Sequence, residues 1–449
     1  MKKLLLTLLF AASATVNAQD FWTEVAPFGN NSNYHPGQIS IVDADVVWAR
    51  ALPNAGPAYN QYSISTDGGI TWASGDINLG STSLGVAWLH AVSATRAYVA
   101  GFPNTPGTIG GIWMTDDAGA TWTQQTTAFN STTSFANIVY FFDLNNGVAV
   151  GDPVNGGFQI YTTSNGGTNW VQVPQTDIPA PISIAEYGYT AIFEARGNHF
   201  WFGTNRGRIY HSEDLGLHWS VNQSPCQDFG DSDLGASFAF KNDQEGMVVY
   251  RDWSWGETTD GGLTWSLISV PFFNAPRNHH VVYVPETNNA YFSWGEGVVD
   301  GIYGATYTTD GGDNWIDLNT EDTNPVIPFD AEFQSGTVGF CIGQYQNGPS
   351  GARFFKLTDP LFRLLKNEPF IAASKFEAAP NPTTDVVKLS GANITQVVVC
   401  DLSGKVISTQ DYGLVNEAVL DVSTLPHGMY LAKISGEHGA SSSVKIVKK

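Results

Sequence analysis

The sequence predicts an all-β protein: a seven-bladed β-propeller, with six blades as the alternative, followed by a small C-terminal β-sandwich. The first observation is a pattern, Ser/Thr-x-Asp-x-Gly-x-Thr-Trp, that runs from Ser65 to Trp72 and returns five more times with small variations. The second is its spacing, because the tryptophans recur every 46 to 50 residues, which is the length of one four-stranded blade. The third is that Trp22 precedes Trp72 by the same interval.

The repeated motif is explained by the chemistry of a tight turn between two strands. A short Asp or Asn side chain accepts hydrogen bonds from turn amides, and the glycine two positions later adopts a positive φ at low cost. The tryptophan then begins the last strand of the blade, where it packs against a neighbouring sheet. We therefore assign a structural role to the Asp or Asn residue of each copy: Asp67, Asp117, Asn165, Asp214, Asp260 and Asp310.

The blade count depends on the two ends of the repeat region. After Trp315 there are three more strand patterns, at 328–333, 337–342 and 352–357, without the motif. The strand around Trp22 can supply the missing fourth strand and close the ring, which removes exposed sheet edges. The sequence therefore predicts seven blades. The second strand of each blade reads as a continuous apolar run, as expected for a strand that is buried on both faces.

The six motif copies resemble the Asp-box, or BNR-repeat, proteins. The resemblance covers residues from about 20 to 360. That resemblance implies a propeller whose motif hairpins lie on the face away from any active site. Val150–Val154 and the run Arg206-Gly207-Arg208-Ile209-Tyr210 are similar to the photosystem-assembly-factor group of Asp-box propellers. The similarity to that group implies protein binding rather than turnover.

Composition and the N-terminus predict an exported protein. Residues 1–18 have a charged start, a short apolar run and a small-residue cleavage site, which is typical of a signal peptide. Further along, the chain contains no apolar run long enough for a transmembrane segment. Lys and Arg together number 21 against 42 Asp and Glu, so we expect no binding to nucleic acid or anionic membranes.

The predicted propeller domain spans residues 19–365, and a linker at 366–375 precedes a second β-rich unit at 376–449. This unit contains Pro380-Asn381-Pro382, Asp401-Leu402-Ser403-Gly404-Lys405, Leu425 to Tyr430 with an internal glycine, and a terminal Lys445-Ile446-Val447-Lys448. The set resembles the type A C-terminal sorting domain of the type IX secretion system. The resemblance implies export through the periplasm, with the secretion machinery as a partner, and a mature protein that is secreted or held at the outer cell surface.

Three cysteines, Cys226, Cys341 and Cys400, give an odd count for an exported protein. The sequence does not decide whether Cys226 and Cys341 form a disulfide, although Cys341 lies in an apolar strand pattern typical of a buried thiol. No Cys/His spacing indicates a metal site, and we expect no metal and no cofactor.

Candidate functional residues come from the propeller face opposite the motif hairpins, where loops of several blades converge. Arginines suit carboxylates and exposed tryptophans suit sugar rings or aromatic side chains. The binding candidates are Arg50, Arg206, Arg208, Arg251, Asp252, Trp253, Trp255 and Trp294. The catalytic candidates are Asp152 and Glu296 as acid and base of a hydrolase, His279 or His280 with Tyr187 as base and acid of a lyase, and Glu186.

Two main classes of function follow, with a purely structural surface-layer or adhesion component as a third alternative. The first is a secreted or cell-surface propeller that binds a glycan or a protein, and the second is a polysaccharide hydrolase or lyase that uses the central pocket. A sialidase is disfavoured, because the Phe-Arg-Ile-Pro signature of that family has no equivalent near Phe21-Trp22-Thr23-Glu24. Arg50, Arg206 and Arg251 would have to converge for its arginine triad. We favour the binding class, since a propeller scaffold by itself does not imply turnover.

Overall fold

The computed structural model describes residues 21–28, 34–53, 60–231, 235–268, 275–297, 301–321, 324–348, 351–358, 377–400, 406–436 and 441–449. The chain divides into two compact units, residues 1–365 and 366–449. In the described ranges, helical structure is limited to α1 (Leu318–Glu321) and one 3₁₀ turn (Gln175–Asp177). The protein is therefore all-β, as the sequence predicts.

The first unit consists of seven four-stranded antiparallel sheets, numbered here as blades 1 to 7 in chain order. The first strands are β2 (Tyr34–Ile41), β6 (Leu84–Ala91), β10 (Ala136–Phe141), β14 (Gly188–Arg196), β18 (Ala236–Phe240), β22 (His280–Tyr283) and β26 (Val326–Ser335). The second strands are β3 (Val47–Pro53), β7 (Ala97–Pro103), β11 (Gly147–Val154), β15 (His199–Thr204), β19 (Gly246–Tyr250), β23 (Tyr291–Glu296) and β27 (Val338–Tyr345). The third strands are β4 (Gln61–Ser65), β8 (Gly111–Thr115), β12 (Gly157–Thr163), β16 (Arg208–Ser212), β20 (Trp255–Thr258), β24 (Tyr303–Thr308) and β28 (Arg353–Leu357). The fourth strands are β5 (Ala73–Asp76), β9 (Thr123–Gln125), β13 (Val171–Gln172), β17 (Ser220–Gln223), β21 (Ser266–Ile268), β25 (Trp315–Asp317) and, for blade 7, the N-terminal β1 (Trp22–Val25).

Blade 7 is completed by the N-terminal strand. β1 pairs antiparallel with β28, which places Trp22 opposite Leu357 and Val25 opposite Phe354. The first strands contact one another in order around the ring, including β26 with β2. The ring is therefore closed by pairing the two ends of the repeat region. The prediction of seven blades is confirmed, and the six-blade alternative is wrong.

The apolar core of the propeller lies between neighbouring blades. Each of the seven junctions has its own cluster of buried side chains within the described residues. Second strands supply fully buried runs, such as 97–100 and 147–151, which explains their continuous apolar sequence. The motif tryptophans join blades as predicted: Trp72 contacts Phe354 of blade 7, and Trp122 contacts Tyr62 of blade 1.

The repeated motif forms the turn between the third and fourth strands. In blade 5, the Asp260 carboxylate accepts the N–H of Thr264 (2.9 Å) and its hydroxyl (2.6 Å), while Thr258 accepts the N–H of Gly262 (2.9 Å). Gly262 has a φ of +89°, the conformation for which glycine is favoured. Equivalent bonds to the amide four residues on are made by Asp67, Asp117, Asn165, Asp214 and Asp310.

Replacing Asp260 with alanine is expected to lower the free energy of unfolding by ~1–2 kcal/mol, because two donors of Thr264 lose their acceptor. Asp260→Asn is the matched control. Asn165 already accepts the corresponding amide of blade 3 at 2.9 Å, so the asparagine variant should keep most of the stability. Urea denaturation of both variants measures the difference. Equal losses in the two variants would contradict this account of the turn.

The C-terminal unit is an antiparallel sheet that folds around one apolar core. Its strands are β29 (Glu377–Ala379), β30 (Val386–Cys400), β31 (Val406–Asp421), β32 (Gly428–Gly436) and β33 (Ser441–Lys448). The long β30 pairs with β29, β31 and β32, with register shifts between Ser390 and Gln396 that allow it to serve two parts of the sheet. The buried cluster includes Val387, Val397 and Ile446.

The signal peptide at 1–18 and the linker at 366–375 lie outside the described residues. Cys226, Cys341 and Cys400 are buried thiols without a disulfide. Cys226 lies in the core between blades 4 and 5 and Cys341 in the core between blades 6 and 7, so they are not paired.

Candidate functional site

The two faces of the propeller carry different connections. The motif face contains the turns between third and fourth strands. The loop face, as we call the opposite side, contains the turns between second and third strands, such as 205–207 and 251–254, and the blade-joining segments, such as 173–187. Alternation of strand direction in antiparallel sheets separates these sets. Among the described residues, long segments from several blades therefore meet on the loop face.

A cavity of about 280 Å³ lies in the central channel. It is lined by residues from all blades except blade 3, including the predicted candidates Arg50, His280 and Trp294. Trp88 and Phe193 fill part of the channel, with ring centroids 5.0 Å apart. Polar side chains on the cavity wall are those of Gln38, Arg50, Thr190, Glu194, Ser237, His280 and Asp330.

Several channel side chains join one blade to the next. Gln38 exchanges two hydrogen bonds with the backbone of Leu89, of 2.6 and 3.0 Å. Asn137 donates to the carbonyl of Gly188 (3.2 Å). Both partners lie 51 residues further along the chain. These buried amides satisfy backbone groups that have no ladder partner at the blade junction, so their role is structural.

Three carboxyl groups in the channel make the same kind of junction. Glu332 accepts the N–H of Ile41 (3.2 Å) where blade 7 meets blade 1. Glu194 bonds to the backbone of Phe240 in blade 5 and also pairs with Arg196 of its own strand (3.0 Å). Burial raises the pKa of Glu332 to about 8 and that of Asp330 to about 6, and burial also raises the pKa of Glu194. Raised carboxyl pKa values are common at catalytic sites, but here each group also bonds to backbone amides.

Sequence reasoning missed these three acids. The available signal was a charged residue inside an otherwise apolar first strand, in Phe193-Glu194-Ala195 and in Asp330-Ala331-Glu332. A charge in such a strand must find a partner when buried, so it marks either a junction or a site.

The predicted hydrolase pair, Asp152 and Glu296, lies at the loop-face ends of second strands in blades 3 and 6. Asp152 accepts a hydrogen bond from Asn137 (2.7 Å), and burial raises the pKa of its carboxyl group. The backbone N–H of Glu296 donates to Asn278 (2.9 Å), and its carbonyl accepts from Trp253 (3.3 Å). Both residues are thus on the expected face.

Glu186 holds a loop in place. Its buried carboxylate pairs with Arg208 (3.4 Å), and it accepts hydrogen bonds from the Thr204 hydroxyl (2.9 Å) and the Ile182 N–H (2.7 Å). These bonds anchor the segment 173–187 to blade 4. Glu186 and Arg208 are therefore buried structural partners rather than exposed loop-face groups, which corrects the sequence interpretation for both.

The predicted lyase residues are spread over two blades. His280 is half-buried and stacks on Trp294, with centroids 5.0 Å apart, while His279, also half-buried, meets the edge of Tyr303 at 5.3 Å. Burial, with the nearby charge of Arg251, lowers the pKa of both histidines to about 4. Tyr187 is exposed next to blade 4, where its ring contacts Tyr189. The histidines are neutral near pH 7.

The remaining arginines differ in environment. Arg50 lies inside β3 and donates to the carbonyl of Val86 (2.6 Å), and burial lowers its pKa to about 10. Arg206 is exposed in the turn after β15, and Arg251 is half-buried. Asp252 accepts the N–H of Ser254 (3.0 Å) within its own turn. Arg50 is a channel residue rather than a loop-end residue, which corrects its predicted position.

Of the three candidate tryptophans, Trp253 is the one with an exposed ring, at 38%. Trp255 is 2% exposed and packs between blades against Trp315, so it is not available as a platform. Trp294 is buried in the channel wall. Burial corrects the predicted platform role of Trp255.

An exposed apolar area on the loop face surrounds Trp253. Tyr303 pairs across the blade 6 sheet with Glu296, whose carbonyl accepts from the Trp253 indole, and Tyr303 also contacts His279. Ile302 is exposed beside Tyr303. We call Trp253, Ile302 and Tyr303 the apolar rim. Phe329 is exposed nearby at the cavity wall.

One further group of potential metal ligands was missed by the sequence analysis. His199, His211 and Glu213 lie on the motif face of blade 4, and their ligand atoms are all within 4.8 Å of one another. The two histidines lie on adjacent strands, so no short sequence spacing indicates them.

Comparison with known proteins supports both units of the chain. Residues 377–449 match the family described as secretion system C-terminal sorting domain. YCF48 bound to a D1 peptide covers 76% of this chain and 98% of its own, with 16% identity and a TM-score of 0.51. YCF48 from Cyanidioschyzon merolae covers 75% of this chain and 98% of its own length, with 15% identity and a TM-score of 0.51. The structure of an ancestral GH74 enzyme covers 95% of this chain and 64% of its own length, with 13% identity and a TM-score of 0.46. No curated protein resembles the chain closely enough to count as a match.

At these identities the solved structures support the fold alone. In the described part of the chain, no helix has the length and apolarity needed to cross a membrane. The sorting domain indicates export by type IX secretion, either to the cell surface or into the medium. The chain is thus a β-propeller protein that carries a type IX secretion system C-terminal sorting domain at its C-terminus.

Proposed function

We propose that this protein is an extracellular binding module whose loop face binds a polypeptide partner at the cell surface. The observation that carries the proposal is the apolar rim of Trp253, Ile302 and Tyr303, which is exposed to solvent on the loop face. Apolar groups that are exposed together on one surface favour association, because burying them in an interface removes that area from water.

A second exposed apolar group lies on the same face. Ile182, Ile184 and Tyr187 are exposed in the segment that Glu186 anchors to blade 4. Because that segment is held by a buried ion pair and hydrogen bonds, its exposed side chains are presented on a fixed backbone. A preorganised surface loses less conformational entropy when it binds.

The mixture of aliphatic and aromatic residues favours a polypeptide over a glycan. Isoleucine side chains gain from burial against other apolar side chains, whereas sugar recognition uses aromatic platforms together with many polar groups. One of the propellers with a similar fold is itself described as bound to a peptide. The fold therefore accommodates such a ligand in at least one other protein.

The test uses the full chain and a display library of random peptides. Trp253→Ala combined with Tyr303→Ala is expected to weaken binding of the selected peptides by at least ~10-fold, since central aromatic residues dominate interface energies. The matched control is Ile70→Ala with Leu263→Ala, which removes two exposed apolar side chains from the motif face. The control should bind as the wild type does.

Other outcomes overturn the proposal in distinguishable ways. Retention on a glycan array that the rim variant abolishes, without peptide binding, would make the partner a glycan. New reducing ends from a polysaccharide, lost in Asp152→Asn or Glu296→Gln, would make the protein a hydrolase. Peptide binding that is equal in the rim variant and the motif-face control would place the partner elsewhere.

A further inference from the structure

We propose that His199, His211 and Glu213 form a binding site for a divalent transition-metal ion, with Zn²⁺ as the best fit, on the motif face of blade 4. The site is separate from the loop face and does not depend on the proposed function. It combines two imidazoles and one carboxylate, a ligand set that zinc accepts together with a water molecule.

Strand register brings the three residues together. β15 pairs with β16 so that Trp201 lies opposite His211 and Phe200 opposite Ser212. Continuing this register places His199 opposite Glu213. Because side chains alternate along a strand, residues at intervals of two share a face, and all three ligands project from the same side of the sheet.

The distances suit a shared ion. The Nδ1 atom of His199 and the Nε2 atom of His211 are 3.0 Å apart, and the carboxylate of Glu213 completes a group within 4.8 Å. Two nitrogen ligands of a tetrahedral zinc, each bound at about 2.0–2.1 Å, are separated by about 3.3 Å. The two nitrogens therefore need to separate by only a few tenths of an ångström, whereas the carboxylate of Glu213 must approach by up to about 1.5 Å, which rotation of this exposed side chain provides.

The imidazoles are already held in place by aromatic stacking. His211 stacks on Trp201 at 4.4 Å with an interplanar angle of 10°, and Trp201 stacks on Phe240 at 4.1 Å. The Trp201 indole donates to the carbonyl of Gly261 in blade 5 (3.0 Å), which fixes the stack. Rings that are ordered before the ion arrives lose little entropy on binding it.

The site is open on one side. His211 is buried, His199 is half-buried and Glu213 is exposed, so the ion can enter from solvent and keep a water ligand. The carboxylate of Asp243, in the neighbouring blade, interacts electrostatically with His211 and adds negative charge near the ion. The competing explanation is a hydrogen bond between the two imidazoles with Glu213 simply hydrated, and experiment separates the two.

The experiment is isothermal titration calorimetry, in which ZnCl₂ is added to the full chain. The protein carries no polyhistidine tag and has been freed of metal by a chelator. The wild type should bind one Zn²⁺, and its melting temperature should rise with Zn²⁺ and fall back with EDTA. His199→Phe keeps a ring that can stack on Trp201 but removes Nδ1, and Glu213→Gln removes the charged ligand. Both variants should bind Zn²⁺ at least ~10-fold more weakly.

His218→Ala is the matched control, because His218 is an exposed histidine that pairs with Asp214 in the turn of the same blade. It should bind Zn²⁺ as the wild type does. The proposal is overturned if the wild type shows no saturable binding, or if His199→Phe and Glu213→Gln bind as tightly as the wild type. Loss of binding in His218→Ala alone would move the site to the His218 and Asp214 pair.

Discussion

Replacing Trp22 with alanine is expected to lower the free energy of unfolding of the propeller by ~3–5 kcal/mol, the usual cost of removing a large buried aromatic ring. Trp22 is 5% exposed and contacts Phe292 of blade 6 and Phe333 of blade 7, at centroid distances of 6.0 and 6.2 Å. The residue begins β1, the strand that completes blade 7. Its loss therefore weakens both the blade junction and the closure of the ring.

Thr23→Ala is the matched control for Trp22. Thr23 is the next residue of β1, it is exposed, and its hydroxyl bonds to that of Thr358 (3.1 Å) at the surface. Its replacement should change stability by no more than ~0.5 kcal/mol. Chemical denaturation of the two variants gives the comparison. A Trp22→Ala variant as stable as Thr23→Ala would mean that β1 contributes little to ring closure.

Replacing Glu332 with glutamine is expected to stabilise the propeller at pH 8 and to leave it nearly unchanged at pH 4.5. Burial, with the nearby carboxyls of Asp330 and Glu194, raises the pKa of Glu332 to about 8. The folded state therefore retains a proton that the unfolded chain releases near its ordinary pKa of 4.5. This stabilisation is complete below pH 4.5 and is lost as the pH rises to 8, a change on the order of a few kcal/mol.

Glutamine keeps the carbonyl oxygen that accepts the N–H of Ile41, but it carries no titrating proton. The melting temperature of the variant should thus vary less than that of the wild type between pH 4.5 and 8. Glu24→Gln is the control, since Glu24 makes a surface ion pair with Arg353 (2.7 Å) worth at most ~1 kcal/mol. Parallel pH profiles for wild type and Glu332→Gln would refute the assignment.

The candidate site was predictable only in part. The loop face was identified from the repeat, and Asp152, Glu296, Trp253, Arg206 and Tyr187 lie there as expected. Glu186 and Arg208 were not recognised as a buried ion pair, because their contact depends on how the segment 173–187 folds back on blade 4. Sequence position places a residue on a face but does not say whether its side chain already has a partner.

The amino-acid sequence by itself determined the period, the blade count, the pairing of the chain ends and the sorting domain. These features depend on local chemistry: the turn residues Asp67 to Gly69, the alternation of strands, and the spacing of Trp22 from Trp72. Each blade and the sorting domain are marked by residues within their own segment of the chain, so the sequence of each segment predicts its structure.

Only the tertiary structure decided which polar side chains meet. Glu332 bonds to Ile41, which is 291 residues away, and His199 faces His211 across two strands of one blade. Such contacts are set by the packing of blades around the channel and by strand register. Burial then determines whether a carboxyl group is charged, whether an arginine is available, and whether a tryptophan such as Trp255 faces solvent or the core.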